Sequence, residues 1–251
     1  MILYEYPFNE RTRTYLRLEQ LFLRLRELLA RTAALDHHFA LTTLFEIMDV
    51  AARADLKADV LKDLEKHKQA LESYRGNPSI SESALNAVFA RLDDCHHMLH
   101  AQSGKAGQAL TENDWLMGIR SRVGIPGGTC SFDLPGYHAW QHRSAPLRQR
   151  ALESWAEALA PLAESIQVLL QLLRESGVSQ KVMAERGHFQ QNLPAGRTFQ
   201  LLQLRINPAL HLVPEISGNR LMVSVRLMEQ RGDGPLQPCT DAAAFELTLC
   251  A

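Results

Sequence analysis

The sequence lacks any apolar run of about 18 residues, the length a membrane-spanning helix needs, so no membrane insertion is expected. It lacks a basic-then-apolar leader pattern, because Glu5, Asn9 and Glu10 arrive too early. It has only four cysteines, Cys95, Cys130, Cys239 and Cys250, widely scattered and with no CxxC pair. That spacing excludes a CxxC site and a dense disulfide framework, and free thiols in a reduced, cytoplasmic compartment are expected. Neither sign of charge is in excess: 27 basic against 28 acidic residues leave a net charge of -1. No global field draws in nucleic acid or an anionic membrane, so electrostatic binding must come from local patches. There is no GxGxxG, no HExxH, no internal repeat and no low-complexity segment. What remains is an ordinary globular composition in 251 residues, enough for one large domain or two modest ones.

The first two-thirds of the chain follows the helical period. Asn9 is placed to cap a helix in which Tyr15, Leu18, Phe22, Leu25 and Leu29 form one apolar face. Arg13, Arg17, Arg24 and Arg31 fall within roughly 40° of one another on the other side, so one helix carries a core face and an arginine ridge. A second helix is predicted over about 37–53 with Phe45, Met48 and Ala52 inward. A third is predicted over about 55–74 on Leu56, Val60, Leu64, Leu71 and Tyr74, stopped by Gly76-Asn77-Pro78. Ser81 caps a fourth with Leu85, Val88, Leu92 and Leu99 on one face. After a glycine-rich break at 103–107, Thr111 with Asp114 signals a short helix to about Arg122. Over 145–176, Leu152, Trp155, Leu159, Leu162, Ile166, Leu169 and Leu173 form an a/d seam, and Pro161 is expected to kink that helix or split it. The seam packs within the chain or lies partly in a subunit interface.

After Gly177 the period shortens to two. Strands are predicted over 181–191, 198–206, 221–227 and around Phe245, Leu247 and Leu249, with Gly, Asn and Pro in the turns. The fold class is α+β: an N-terminal helical bundle, then an antiparallel β-sheet domain that also takes up residues 2–6. The expected division is 8–176, helical, and 177–251 with 2–6, β.

Between the two long helical stretches lies 125–140, Ile-Pro-Gly-Gly-Thr-Cys-Ser-Phe-Asp-Leu-Pro-Gly-Tyr-His-Ala-Trp. Gly127 and Gly128 permit a sharp turn. Alternation of Cys130, Phe132 and Leu134 reads as a short extended piece with one apolar face, and Pro135 opens the next helix. The aromatic content suggests a structural plug.

Several chemistries can be weighed on the residues. His96 and His100 are four apart on a helix, the spacing for a shared metal, but no second cluster completes a site. Cys130, Asp133 and His138 are the types of a nucleophilic set, and a small-molecule enzyme built on them is one alternative. A nucleic-acid binder using the arginine ridge is another, without a docking motif to support it. The third reading is capture of a carboxylate-bearing peptide, because the planar guanidinium pairs bidentately with carboxylates. Arg120 and Arg122 precede the central stretch, and Arg220 and Arg226 fall on one side of a predicted strand.

The Pro-Gly-Gly, Cys-Ser-Phe-Asp-Leu-Pro and His-Ala-Trp sequence of this stretch resembles the ZapD family of bacterial cell-division proteins. So do Tyr-Glu-Tyr-Pro-Phe-Asn-Glu and Arg-Thr-Tyr-Leu-Arg-Leu-Glu near the start, and Pro-Glu-Ile-Ser-Gly late in the chain. The resemblance spans nearly the whole length. It implies a non-enzymatic cytoplasmic adaptor acting at the mid-cell division site, without a cofactor. It implies a homodimer that binds the C-terminal tail of FtsZ and cross-links and bundles FtsZ protofilaments, stabilising the Z ring. By position, it assigns tail binding to Arg17, His138 and Arg226, with Arg220 close by. Asp114 and Met222 stand where relatives can carry arginine, leaving Arg120, Arg122 or Arg220 to compensate, and Gln141 replaces an expected apolar residue.

Overall fold

The computed structural model describes residues 1–53, 55–229, 232 and 234–251. Its α+β architecture places helices first and strands after, apart from one N-terminal strand. Two compact units are formed: Leu16–Leu169, helical, and Met1–Tyr15 with Leu170–Ala251, mainly β.

Helix α1 (Glu10–Leu29) starts where Asn9 Oδ1 accepts from the Thr12 amide at 2.8 Å. Tyr15, Leu18 and Leu25 are buried, as the period requires, while Phe22 and Leu29 are only half-buried. In α2 (Ala34–Ala51) the inward residue after Met48 is Ala51; Ala52 is exposed beyond the helix end. Helix α3 (Leu56–Glu72) buries Leu56, Val60 and Leu64 but ends before Tyr74, which is exposed. Helix α4 (Glu82–Ala101) is capped by Ser81, whose Oγ accepts from the Ala84 amide at 3.3 Å. After the short α5 (Gln108–Thr111), α6 (Asp114–Val123) is capped by Asn113, with Oδ1 accepting from the Leu116 amide at 3.0 Å. Thr111 is not that cap: its hydroxyl donates back to the Gln108 carbonyl. Helix α7 (Pro135–Gln141) begins at Pro135. The long seam is split into α8 (Ala145–Glu157) and α9 (Ala160–Glu175), bent by 65°. Pro161 falls in the first turn of α9, where its missing N–H costs no hydrogen bond. Leu152, Leu159, Leu162, Ile166, Leu169 and Leu173 are all buried.

Two features hold the helical unit together. Trp115, Tyr137, Trp140 and Trp155 form one aromatic cluster, with Trp115 stacked on Trp155 at 5.3 Å and Tyr137 on Trp140 at 5.8 Å. The second is a polar knot. Arg148, only 6% exposed, donates from Nε to His37 Nδ1 at 2.9 Å. Its other donors reach the carbonyls of Thr32 (2.7 Å), Gln141 (3.1 Å) and Arg143. His37 is fully buried and contacts the Arg31 carbonyl through Nε2 at 2.9 Å. It must therefore accept at Nδ1 and donate at Nε2, which is the neutral ring. Burial, above all, holds its pKa below the ordinary value, and the Arg148 charge acts the same way.

The β unit contains two antiparallel sheets. One has the order β1 (Ile2–Pro7), β4 (Leu201–Ile206), β8 (Ala243–Cys250), β2 (Ser179–Ala184). The other has β3 (His188–Asn192), β6 (Met222–Glu229) and β5 (Leu212–Gly218), with β7 (Gln237–Pro238) also on β6. The N-terminal residues do join the sheet, Ile2 opposite Ile206 and Tyr6 opposite Leu202. The single strand predicted over 181–191 is instead two strands in different sheets. The chain turns at Arg186 and Gly187, both at positive φ, and a Cβ at Gly187 would lie 2.2 Å from the Cys239 carbonyl oxygen. Strand β5 is not predicted from the sequence at all. Leu202, Leu204, Val223, Val225, Phe245 and Leu247 belong to one core shared by both sheets. Leu221, expected on the inner face with them, precedes β6 and is exposed. At the edge, Glu5 accepts from Arg174 at 2.8 and 2.7 Å and from Gln203 at 2.9 Å. Burial alone would raise the pKa of Glu5; these hydrogen bonds, with the charges of Arg174 and Arg205, outweigh it and hold the carboxyl low.

Candidate functional site

The ridge on α1 is not uniform. Arg13 pairs with Glu10 at 3.0 Å, Arg24 with Glu46 at 2.6 Å and Arg31 with Asp36 at 3.5 Å. Arg17 is exposed and, among the described residues, makes no ion pair. The local reason is in the sequence: its neighbours one turn away are Arg13, Thr14, Gln20 and Leu21, none of them acidic. Three of the four ridge charges are thus answered within the chain and one is not.

Arg120 and Arg122 lie in the last turn of α6, where cations suit the helix macrodipole. Arg120 is committed to a close ion pair with Asp49 of α2. Arg122 is exposed and makes no ion pair among the described residues. Asp114, at the opposite end of the same helix, suits the positive pole.

His138 is exposed on α7, its ring 4.4 Å from that of His142. The adjacent Tyr137 anchors the helix. Its hydroxyl is hydrogen-bonded with His38 Nδ1 at 2.7 Å and accepts from Gln141 Nε2 at 3.2 Å. Burial pushes the Tyr137 phenol up and the His38 ring down, so both stay neutral at pH 7. Gln141 thus supplies a hydrogen bond to the buried phenol where an apolar residue is expected.

Ahead of α7, residues 125–134 form consecutive turns, not the extended piece read from the alternation. Tyr137 and Trp140 are buried, but Phe132 is 82% exposed and Cys130 is exposed, so the loop is no plug. Among the described residues no hydrogen bond joins the side chains of Cys130, Asp133 and His138. His96 and His100 stack at 5.9 Å. Among the described residues no group of three or more His, Cys, Asp or Glu is placed to hold a metal ion.

In the β unit, Arg226 stands on the exposed face of β6, directly between His188 of β3 and Glu215 of β5. Along that face Ser224 Oγ lies 3.2 Å from His188 Nε2. Among the described residues Arg226 makes no ion pair. Arg220 does not share its strand: it sits exposed in the β5–β6 turn. Asn219 Oδ1 pins that turn by accepting from the Leu221 and Met222 amides at 2.8 and 3.1 Å. Met222 is half-buried opposite Asn192.

Sequence reasoning missed one further feature, an apolar groove of about 430 Å³ in the helical unit, lined in part by Phe22, Leu29, Ala156, Ala160 and Ala163. Its signal was available: Phe22 and Leu29 belong to a helix face wider than one neighbouring helix covers.

Comparison with known proteins agrees with the resemblance in the sequence. A family model described as "ZapD: Cell division protein" matches residues 16–226. Proteins named Cell division protein ZapD from Ralstonia pickettii and Ralstonia nicotianae are each 52% identical over 251 residues. The match covers 100% of this chain and 99% of each relative. These names denote division proteins, so the chain is placed as a protein with a role in cell division. By the extent of the family match and the full-length identity, the chain belongs to the ZapD family of cell-division proteins.

Proposed function

We propose that this chain is an adaptor that binds the C-terminal tail of FtsZ. As a homodimer it cross-links and bundles FtsZ protofilaments, stabilising the Z ring at mid-cell in the cytoplasm. The observation that carries the reading is a contrast among the arginines. Arg17 and Arg226, which the family resemblance assigns to the tail, are exposed and make no ion pair among the described residues. Arg13, Arg24 and Arg31 are paired with carboxylates of their own chain. A guanidinium without an internal partner keeps its paired donors for an incoming carboxylate. Arg122, Arg220 and His138 are likewise exposed and are secondary candidates for contact with the tail. Arg120 is the weakest member, because Asp49 already holds it.

Bundling needs two tail sites per particle, since one site decorates a filament and cannot bridge two. The apolar groove left open on the helical unit supports a two-fold contact between copies. Sedimentation at micromolar concentration should give a dimer; a monomer alone would remove the bridging step.

Titration with a synthetic tail peptide at two salt concentrations tests the binding step. Arg17→Ala or Arg226→Ala should weaken binding at least roughly tenfold, about 1.4 kcal/mol. Arg31→Ala should do much less, its charge being already answered by Asp36. Added salt should weaken the wild type more than either variant, because the screened contact is missing from both. Wild-type affinity in both Arg17→Ala and Arg226→Ala would move the tail site elsewhere.

A further inference from the structure

The turn loop at 125–134 holds a phenylalanine out of the protein, and neither packing nor the arginine surface accounts for it. Phe132 is 82% exposed, the loop's Ile125 is 48% exposed, and Leu134, Tyr137 and Trp140 beside them turn inward. A phenylalanine two residues from a half-buried leucine has a core within reach. Its exposure is therefore fixed by the backbone.

That backbone is held by a series of turn hydrogen bonds. The Ile125 amide donates to the Arg122 carbonyl (3.0 Å), Gly128 to Ile125 (2.9 Å) and Cys130 to Gly127 (3.2 Å). Asp133 and Leu134 both donate to the Cys130 carbonyl (3.1 and 2.9 Å), and His138 donates to Leu134 (3.0 Å). Phe132 sits inside the turn that Cys130 closes. At Gly128 the loop folds back on the end of α6 so closely that a Cβ would lie 2.6 Å from the Arg122 carbonyl oxygen. Only glycine permits that approach. The loop is thus ordered before any partner arrives, and an aromatic ring presented this way loses little conformational freedom on contact.

The charges around it indicate the partner. Arg122, at the root of the loop, is exposed and makes no ion pair among the described residues, and the exposed imidazole of His138 follows the loop on α7. An apolar ring on a loop whose two ends lead into exposed basic residues, Arg122 before it and His138 after it, is complementary to a peptide carrying both carboxylates and a large apolar side chain.

We propose that Phe132 is the apolar anchor of the tail-binding surface on the helical unit. It packs against an apolar side chain of an acidic peptide whose carboxylates meet Arg122 and its basic neighbours. This rests on the tail-binding reading given above and adds a specificity contact of a different kind. Aromatic anchors of this sort carry a disproportionate share of binding energy.

The test uses the whole protein and two synthetic peptides: the FtsZ tail, and the same tail with its large apolar residues replaced by Ala. Phe132→Ser should bind the tail at least about fivefold more weakly, with an unchanged thermal midpoint, because the ring contributes no packing to the fold. Phe132→Leu should recover most of the affinity. The salt dependence of Phe132→Ser should match the wild type, since no charge is lost, whereas that of Arg122→Ala should flatten. Against the Ala-replaced tail, wild type and Phe132→Ser should bind alike, the signature of a direct pair in a double-mutant cycle. Wild-type affinity in Phe132→Ser alongside weakened Arg17→Ala or Arg226→Ala overturns the anchor and leaves the tail site standing. No binding of the tail by the wild type overturns both. Loss of self-association in Phe132→Ser with tail affinity intact assigns the ring to contact between copies and overturns the anchor.

Discussion

The two units solve the problem of an interior in opposite ways. The β unit has an apolar interior: Leu204, Val223, Val225, Phe245 and Leu247 belong to one cluster, and the ion pair of Glu5 with Arg174 lies at the edge. The helical unit buries a cation. Among the described residues Arg148 makes no ion pair; its donors are met by three carbonyls and a neutral histidine. A sheet satisfies its backbone internally, so its core can be purely apolar. Helix ends leave carbonyls without partners, and the turns at 29–33 and 141–144 leave several close together. One guanidinium answers them at once, tying the end of α1 and the end of α7 to the start of α8.

The comparison can be broken most directly at Arg148. Arg148→Met leaves His37 Nδ1 and three carbonyls without their donor, and should destabilise the helical unit by about 3–5 kcal/mol. All three tryptophans, Trp115, Trp140 and Trp155, lie in that unit, so denaturant unfolding followed by their fluorescence reports it. A shift below about 1 kcal/mol would show that water replaces the guanidinium adequately. Arg148→Lys should rescue little, since an ammonium cannot reproduce the planar fork.

In the β unit the corresponding change is Leu204→Ala, expected to lose about 2–5 kcal/mol through the cavity it leaves. Hydrogen exchange of the β4 and β8 amides should show the loss. If the tryptophan transition moves by the same amount, the two units unfold as one and the contrast does not extend to stability.

Acid should separate the units by pH. His37 has a folded pKa below its ordinary 6.5, so the unfolded chain binds the proton more readily. Its contribution is fully present above about pH 6.5 and is lost as pH falls toward the lowered folded value. Glu5 is also depressed, from 4.5, so its contribution persists to lower pH and is lost only below that value. The tryptophan-reported transition should therefore weaken first on acidification, and the β unit later. The same order in His37→Gln would show that another group sets the first step.

Smaller effects belong to the surface. Arg24→Ala breaks the exposed pair with Glu46 and should change stability by about 0.2–1 kcal/mol, less in high salt. Cys130→Ser, at an exposed thiol with no hydrogen bond to Asp133 or His138, should alter neither stability nor filament bundling. Loss of bundling in a folded Cys130→Ser protein would reopen a thiol-dependent mechanism.

How much of this was legible in the sequence follows from periodicity. The helix faces through Leu18, Leu64, Leu92 and Ile166 announce themselves because a 3.6-residue period needs only local chain. The joining of residues 2–6 to the sheet is legible for a similar reason, as a short extended piece needing a partner. The Arg148–His37 knot is not, because an arginine within a helix reads as surface unless its distant partners are known. Strand β5 is hidden by Pro214 and Gly218, residues that discourage strands yet are tolerated where one side of the strand is unpaired. The turn between β2 and β3 is hidden because Arg186 takes a positive φ that its residue type does not advertise. Among the candidate residues, the resemblance supplies Arg17 and Arg226, but only the folded chain shows which arginines are already paired. Phe132 was misread because alternation in 130–134 suits a strand, while the chain there turns.

The pairing of Ile2 with Ile206 has a consequence for synthesis. Strand β1 is made before the helical unit, and its partner, β4, only after the whole of it. The nascent chain must carry Leu3, Tyr4 and Tyr6 without a sheet to receive them while Leu16–Leu169 emerges and folds. Closing so long a loop late is slow, and a solitary apolar strand is open to the wrong neighbour in the interval. Ribosome-associated chaperones that shield unpaired apolar segments should thus affect the yield of this protein through Ile2–Pro7 more than through any helix.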